Sequence, residues 1–152
     1  MQNPFTLRVY DKDFNFKGFI GDPRTVVATP RYNAAGTLRI DLPAAHPQLA
    51  NMSADGARVV CHYYDEQLLS GPVTSIVGTG PTATAVIAFY VDDDFRILEN
   101  TLAYPVPANA VTAQTAENYT ASGAAETVFK NLVTANLVPR QPMRVTVASS
   151  TG

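Results

Sequence analysis

Apolar and polar residues alternate with a period of two along most of the first 91 positions. In "FTLRVYD", residues 5–11, Phe5, Leu7 and Val9 face one way and Thr6, Arg8 and Tyr10 the other. "FKGFIG" follows after the turn-like "DKDFN", so the pair reads as a β-hairpin. "TVVATPRYN" forms a third run, closed by the loop "NAAG". Pro30 cannot donate to a ladder, so this strand is expected at a sheet edge or with a bulge. "TLRIDLP" sets Leu38, Ile40 and Leu42 against Thr37, Arg39 and Asp41, the signature of a half-buried antiparallel strand. "AAHPQLANMSADG" interrupts the alternation and has room for one helical turn. "ARVVCHYYD", "LLSGPVTSIVG" and "TATAVIAFYVD" then follow, joined by "EQ" and "TGP". About seven closely spaced strands predict a mainly β fold, a small antiparallel barrel or sandwich.

Beyond residue 91 the texture changes. "DDDFRILENTLAYPVP" predicts a short helix ended by prolines, with Phe95, Leu98 and Leu102 on one face and an Arg96–Glu99 pair on the other. "ANAVTAQTAENYT" reads as a connector of small residues. "SGAAETVFKNLVTANL" predicts a helix with Ser122 as N-cap and Glu126 in the first turn. Its apolar stripe is Ala125, Val128, Phe129, Leu132 and Val133. "MRVTVAS" predicts a further strand, after which the chain stops, as expected of a fragment cut inside a second subdomain. The expected division is therefore a β-barrel domain over residues 1–107, then linker, helix and first strand of a truncated α/β insertion over 108–152.

Composition narrows the function. With 46% apolar and 16% charged residues in 152, the chain can bury a core, and a net charge of −2 argues against nucleic acid as the main partner. No apolar run is long enough to span a bilayer, and "MQNPFTLRVYD" lacks the basic and apolar regions of a signal peptide. The single cysteine, Cys61, rules out an internal disulfide framework and a multi-cysteine zinc site.

Candidate chemistry centres on Asp92, Asp93 and Asp94. A calcium loop alternates its oxygen ligands and carries a glycine, whereas these acids are consecutive and no glycine follows until Gly123. Acids before a helix meet the positive end of its dipole, so the run is expected to cap a helix and to bind no metal. Cys61 and His62 are strand neighbours pointing to opposite faces, which excludes a thiolate–imidazole dyad. Cys61 reads as a buried small hydrophobe, and His46 before Pro47 as a loop residue. "GTGPTA" lacks the lysine of a phosphate-binding loop and reads as a hairpin turn. The sequons at Asn51 and Asn118 carry no weight without a secretory signal. No catalytic, cofactor-binding or metal-binding residue is predicted, and no enzyme activity.

"RYNAAGTLRIDLPAAHPQLANMSADGARVVCHYYDEQLLSGPV" followed by "FYVDDDFRILENTLAYPVP" resembles the N-terminal part of tail hub proteins of long-tailed bacteriophages. These are also called minor tail, tail-tip or baseplate hub proteins. The marks are Arg31, Asn33 and Gly36 before the Leu38–Ile40–Leu42 strand, the "HP" and "DG" steps, "SGPV", and the acidic helix ending in "YPVP". The resemblance implies a tail-tube-like barrel in a trimeric hub, where two barrels per chain form a pseudo-sixfold ring and a helix-containing domain is inserted after the first. It further implies a structural virion protein at the tail tip that continues the tube and anchors distal parts. Its partners would be itself, distal tail and tape-measure proteins, with DNA only as cargo. It implies no cofactor and no membrane anchor. Polar strand positions such as Thr74, Thr82 and Thr84 suit solvent or subunit contacts.

Two rival classes follow from the residues. A cell-wall hydrolase domain needs two carboxylates converging at about 5 to 10 Å. A carbohydrate-binding barrel would gather Tyr10, Tyr32, Tyr63 and Tyr64 around a groove.

Overall fold

Alternation in the N-terminal part becomes seven antiparallel strands in a computed structural model that describes residues 4–81, 85–140 and 146–149. The strands are β1 (Phe5–Tyr10), β2 (Phe16–Ile20), β3 (Thr25–Thr29), β4 (Thr37–Pro43), β5 (Arg58–Tyr63), β6 (Glu66–Thr79) and β7 (Val86–Asp92). Their order across the sheet is β2-β1-β5-β6-β7-β4-β3. The mainly β class is as expected. The closed barrel is not: β2 and β3, at the two ends of this order, are unpaired with each other, so the sheet is open.

β6 explains how an open sheet encloses a core. Its first half pairs with β5, from Glu66↔Tyr63 to Pro72↔Arg58, and its second half pairs with β7, from Val73↔Val91 to Thr79↔Val86. One strand thus belongs to two sheets, and their inner faces share one apolar cluster. Leu7, Val9, Ile20, Val59, Cys61 and Leu69 come from one side, and Leu38, Ile40, Leu42, Phe89 and Val91 from the other. Leu7, Val9, Leu38, Ile40 and Leu42 all lie on the faces that their period predicts.

The crossover falls at "SGPV". A Cβ on Gly71 would lie 1.7 Å from the Asp92 carbonyl oxygen, so only glycine fits where β6 passes the end of β7. Pro72 follows, where a missing N–H is tolerated, and Val73 N–H donates across to Ala57 O at 2.8 Å. The proline predicted at an edge or bulge, Pro30, lies just past the end of β3, itself an edge strand.

The turn between β1 and β2 is organised by Asp11. Its carboxylate accepts from the N–H groups of Asp13 and Asn15, both at 2.9 Å, from the Asn15 side chain at 3.1 Å, and from Lys17 at 2.8 Å. The Lys17 ammonium first, then Asn15, holds the Asp11 carboxyl well below the usual carboxylate range.

The chain divides into two compact units, Met1–Arg96 and Ile97–Gly152. In the first, the loop after β4 carries the single turn α1 (Leu49–Met52), with Met52 buried in the core. At the boundary, the acidic helix is shorter than predicted, one turn, α2 (Arg96–Glu99). Phe95 and Leu102 of its predicted apolar face are exposed. The second unit contains α3 (Ala125–Asn136). Ser122 is not its cap: Gly123, at φ +130°, turns the chain between them, and Ala124 occupies the cap position with no side-chain bond. Glu126 does lie in the first turn, paired with Lys130 at 2.5 Å. Of the strand predicted at "MRVTVAS", residues 143–145 lie outside the described residues and 146–149 are not in a strand. Thr82 and Thr84 likewise lie outside them. Among the described residues no helix is long and apolar enough to cross a membrane.

Two outcomes test these assignments. Gly71→Ala is expected to lower unfolding free energy by about 1–3 kcal/mol in denaturant titrations, through overpacking. Gly21→Ala, where an added Cβ meets nothing within 4 Å, serves as the control. Because the Asp11 pKa is depressed on folding, its contribution is present above the unfolded value of about 3.9 and is lost as pH falls below it. The difference in melting temperature between wild type and Asp11→Asn is therefore expected to be constant above about pH 5 and to shrink progressively in more acid solution.

Candidate functional site

The three acids at the end of β7 are held by three different sets of partners. Asp92 pairs with Arg96 at 2.5 Å. The Asp93 side chain accepts from Phe95 N–H at 3.1 Å, and its backbone carbonyl accepts from Arg96 N–H at 2.9 Å, which starts the α2 turn. Asp94 turns back onto the sheet, where it pairs with Arg58 and accepts from the Ser70 hydroxyl at 2.9 Å. Backbone bonds reinforce the same path, Asp93 N–H to Gly36 O at 3.0 Å and Asp94 N–H to Ser70 O at 2.7 Å. Three carboxylates aimed at three targets do not converge on one ion, and no group of His, Cys, Asp and Glu among the described residues could hold a metal.

Arg58, Ser70 and Phe14 are partners that sequence reasoning missed. Arg58 is only 8% exposed. Its guanidinium lies 4.6 Å from the centroid of the Phe14 ring. Phe14 has a left-handed backbone, φ 63°, which a bulky residue adopts only at a cost. Tyr10, Phe14, Arg58, Val59, Val60, Ser70 and Asp94 line a cleft of about 80 Å³, largely apolar and small beside typical ligand sites. The only sequence signal was Arg58 at an outward position of a strand.

The remaining candidates separate. Cys61 is fully buried in the core, and burial pushes its thiol up to about 11; His62 lies on the opposite face, as the period requires. His46 bonds the Gly21 carbonyl at 2.7 Å and receives Gln48 N–H at 3.1 Å, a loop role. The tyrosines surround no common groove. Tyr63 and Tyr64 stack edge-on at 4.7 Å with Phe5 against Tyr63. Tyr10 packs on Phe16, and Tyr32 is 94% exposed in the loop between β3 and β4.

More informative are the edges of the half-sheet β6-β7-β4-β3. Along Val73–Thr79, β6 pairs with β7 on one side, and no strand pairs with its other side among the described residues. Ile76 and Val77 point to opposite faces, yet each is 45% exposed, so this stretch projects past the core. At the far side, β3 is equally unpaired on its outer edge. Neither stretch contains a charged residue.

In the second unit, side-chain amides and one arginine order the non-helical segments. Buried Asn136 accepts from Tyr104 N–H at 2.7 Å and from Arg140 at 3.0 Å. Arg140 also donates to the carbonyls of Leu102 and Pro107 and lies 3.6 Å from the Tyr104 ring centroid. Gln114 bonds both backbone groups of Val106 and the carbonyls of Asn109 and Ala110. These contacts strap "YPVP" and the connector into a defined path.

A family model described as "Siphovirus ReqiPepy6 Gp37-like protein" matches residues 6–148. No curated protein sequence matches the chain. Among solved structures it is similar to the 43 kDa tail protein of prophage MuSo2 from Shewanella oneidensis. That match has a TM-score of 0.47 and 13% identity over 67% of this chain and 33% of that one. The chain thus spans about a third of the length of that protein.

Asp94→Asn is expected to destabilise by about 1–3 kcal/mol in chemical denaturation, since it weakens the charged bonds to a buried arginine. Asp92→Asn, at a more exposed pair, is expected to cost less than about 1 kcal/mol. Addition of millimolar calcium is expected to leave the melting temperature of both variants and of wild type unchanged.

Proposed function

Since the chain belongs to the Siphovirus ReqiPepy6 Gp37-like family, we propose that it is a structural protein of a long-tailed phage tail, a hub or tail-tip component that forms a ring continuing the tail tube. The observation that carries this reading is the half-sheet β6-β7-β4-β3 with two uncharged open edges. Antiparallel pairing reverses direction at each step, so four strands leave β6 and β3 antiparallel to each other. A copy rotated about an axis along the strands keeps those directions. Its β3 therefore meets the free half of β6 antiparallel, and the ladder continues from copy to copy. Such a head-to-tail contact closes into a ring when the rotation closes. Side chains match as well: Val26 and Ala28 would lie beside Ile76, and Val27 beside Val77.

The role is assembly and not turnover. In the intact protein the ring is a trimer in which the seven-stranded unit, Met1–Arg96, supplies one body per chain. Distal tail and tape-measure proteins flank it in the virion, and DNA passes through its lumen. A net charge of −2 suits a passage that does not retain a polyanion.

Light scattering and negative-stain microscopy of the intact phage-encoded protein are expected to show closed rings. Val77→Lys, which puts a charge on the free edge, is expected to reduce ring formation by tenfold or more while circular dichroism stays unchanged. A protein that remains monomeric at all concentrations, or a glycan-cleaving activity mapped to residues 1–152, would overturn the reading.

A further inference from the structure

The outer face of the other half-sheet holds an unexplained feature. Among the described residues, two buried side-chain atoms lack a hydrogen-bond partner, Arg8 Nε and His62 Nδ1. Both belong to the same face. Thr6 and Arg8 alternate with the buried Leu7, and their cross-strand partners are His62 and Val60, so the two orphan nitrogens are diagonal neighbours on β1 and β5. Buried polar groups left unpaired cost about 1–3 kcal/mol each, and around these two atoms the Arg8 and His62 side chains are only partly buried, open to a partner. Aromatic rings flank them: Phe19 lies beneath the Arg8 guanidinium at 5.7 Å, Phe16 packs on Phe19, and both phenylalanines are half-exposed. Arginine and aromatic residues together are the usual composition of binding hot spots.

The same chain carries the complement. The turn joining β5 to β6 presents Tyr63, Tyr64, Asp65 and Glu66, all exposed. Tyr64 has a left-handed backbone, φ 53°, and its N–H donates to Pro4 O at 2.7 Å, which fixes the turn. Neither Asp65 nor Glu66 has an ion pair among the described residues, and neither does Arg8. One patch is basic and aromatic, the other acidic and aromatic, and the structure does not pair them within one molecule.

We propose that a second copy of this chain covers the Arg8–His62 face with its Tyr63–Glu66 hairpin tip. The carboxylates of Asp65 and Glu66 accept from Arg8, Tyr64 reaches His62, and the tyrosine rings rest on Phe16 and Phe19. This contact rests on the ring reading above and adds to it. A ladder as short as the five residues of β3 buries far less than the roughly 1,600 Å² of a standard interface, so edge pairing alone leaves the ring short of contact. Patch and tip are different sets of residues, so the contact is compatible with the head-to-tail arrangement that a ring requires.

The test is sedimentation velocity on the intact protein across a range of concentrations. Arg8→Glu, and separately Asp65→Lys with Glu66→Lys, are each expected to weaken self-association about tenfold or more. Combining all three substitutions is expected to restore it. Full association in both variants, or no recovery in the combined one, overturns the proposal. Val77→Lys separates the two ideas. Loss of rings there with intact rings in the charge variants leaves the edge reading standing and removes this one; the converse removes the edge reading. Wild type that is monomeric throughout removes both. Should Arg8→Glu prove unfolded by circular dichroism, Arg8→Gln replaces it, with the tip variant as the independent arm.

Discussion

The close approach of Gly71 to the Asp92 carbonyl is the constraint on which the rest of the first unit depends. One strand must leave β5 and take up β7 without a break, and the only way to do so is to let the backbones pass where a side chain would stand. If that passage is lost, the two half-sheets no longer face each other, and the core that they share has no second wall. The acids that follow β7 secure the same corner: Asp93 and Asp94 tie its end to Gly36 and Ser70, and Arg58 anchors Asp94 from below. What looks in sequence like a reservoir of negative charge is a seam.

Strand positions were legible because one face of each strand meets the core and the other does not, which writes a period of two into the residues. Leu38, Ile40 and Leu42, or Leu7 and Val9, could not have been placed otherwise. Closure was not legible, since it depends on whether the first and last strands meet, and no local pattern records that. The run "LLSGPVTSIVG" reads as one strand, as β6 is, but the change of partner within it at Gly71 and Pro72 was hidden for a related reason: no local pattern records which strands will lie alongside.

Helical readings fared less evenly. α3 was visible from its spacing, yet Ser122 was misplaced because a cap depends on one backbone angle at Gly123. The apolar stripe was drawn too wide, for Phe129 is exposed while Asn136 is buried. Asn136 and Arg140 organise their unit through bonds to backbone carbonyls distant in sequence, which leave no periodic trace. Arg58 escaped notice similarly, since an arginine on the outer face of a strand is ordinarily solvated and only the arrival of Asp94 and Phe14 makes it otherwise.

The free half of β6 has one more implication. Natural sheets guard their margins with lysines, prolines or bulges against indiscriminate strand addition. Val73–Thr79 has no lysine or proline, and after the register shift between Val73 and Ser75 it runs on unguarded with apolar residues exposed on both faces. A stretch of this kind is a template for cross-β growth whenever its proper neighbour is absent. Overproduced alone, the chain is thus exposed to fibrillar aggregation, and its solubility is set by how quickly that margin is occupied.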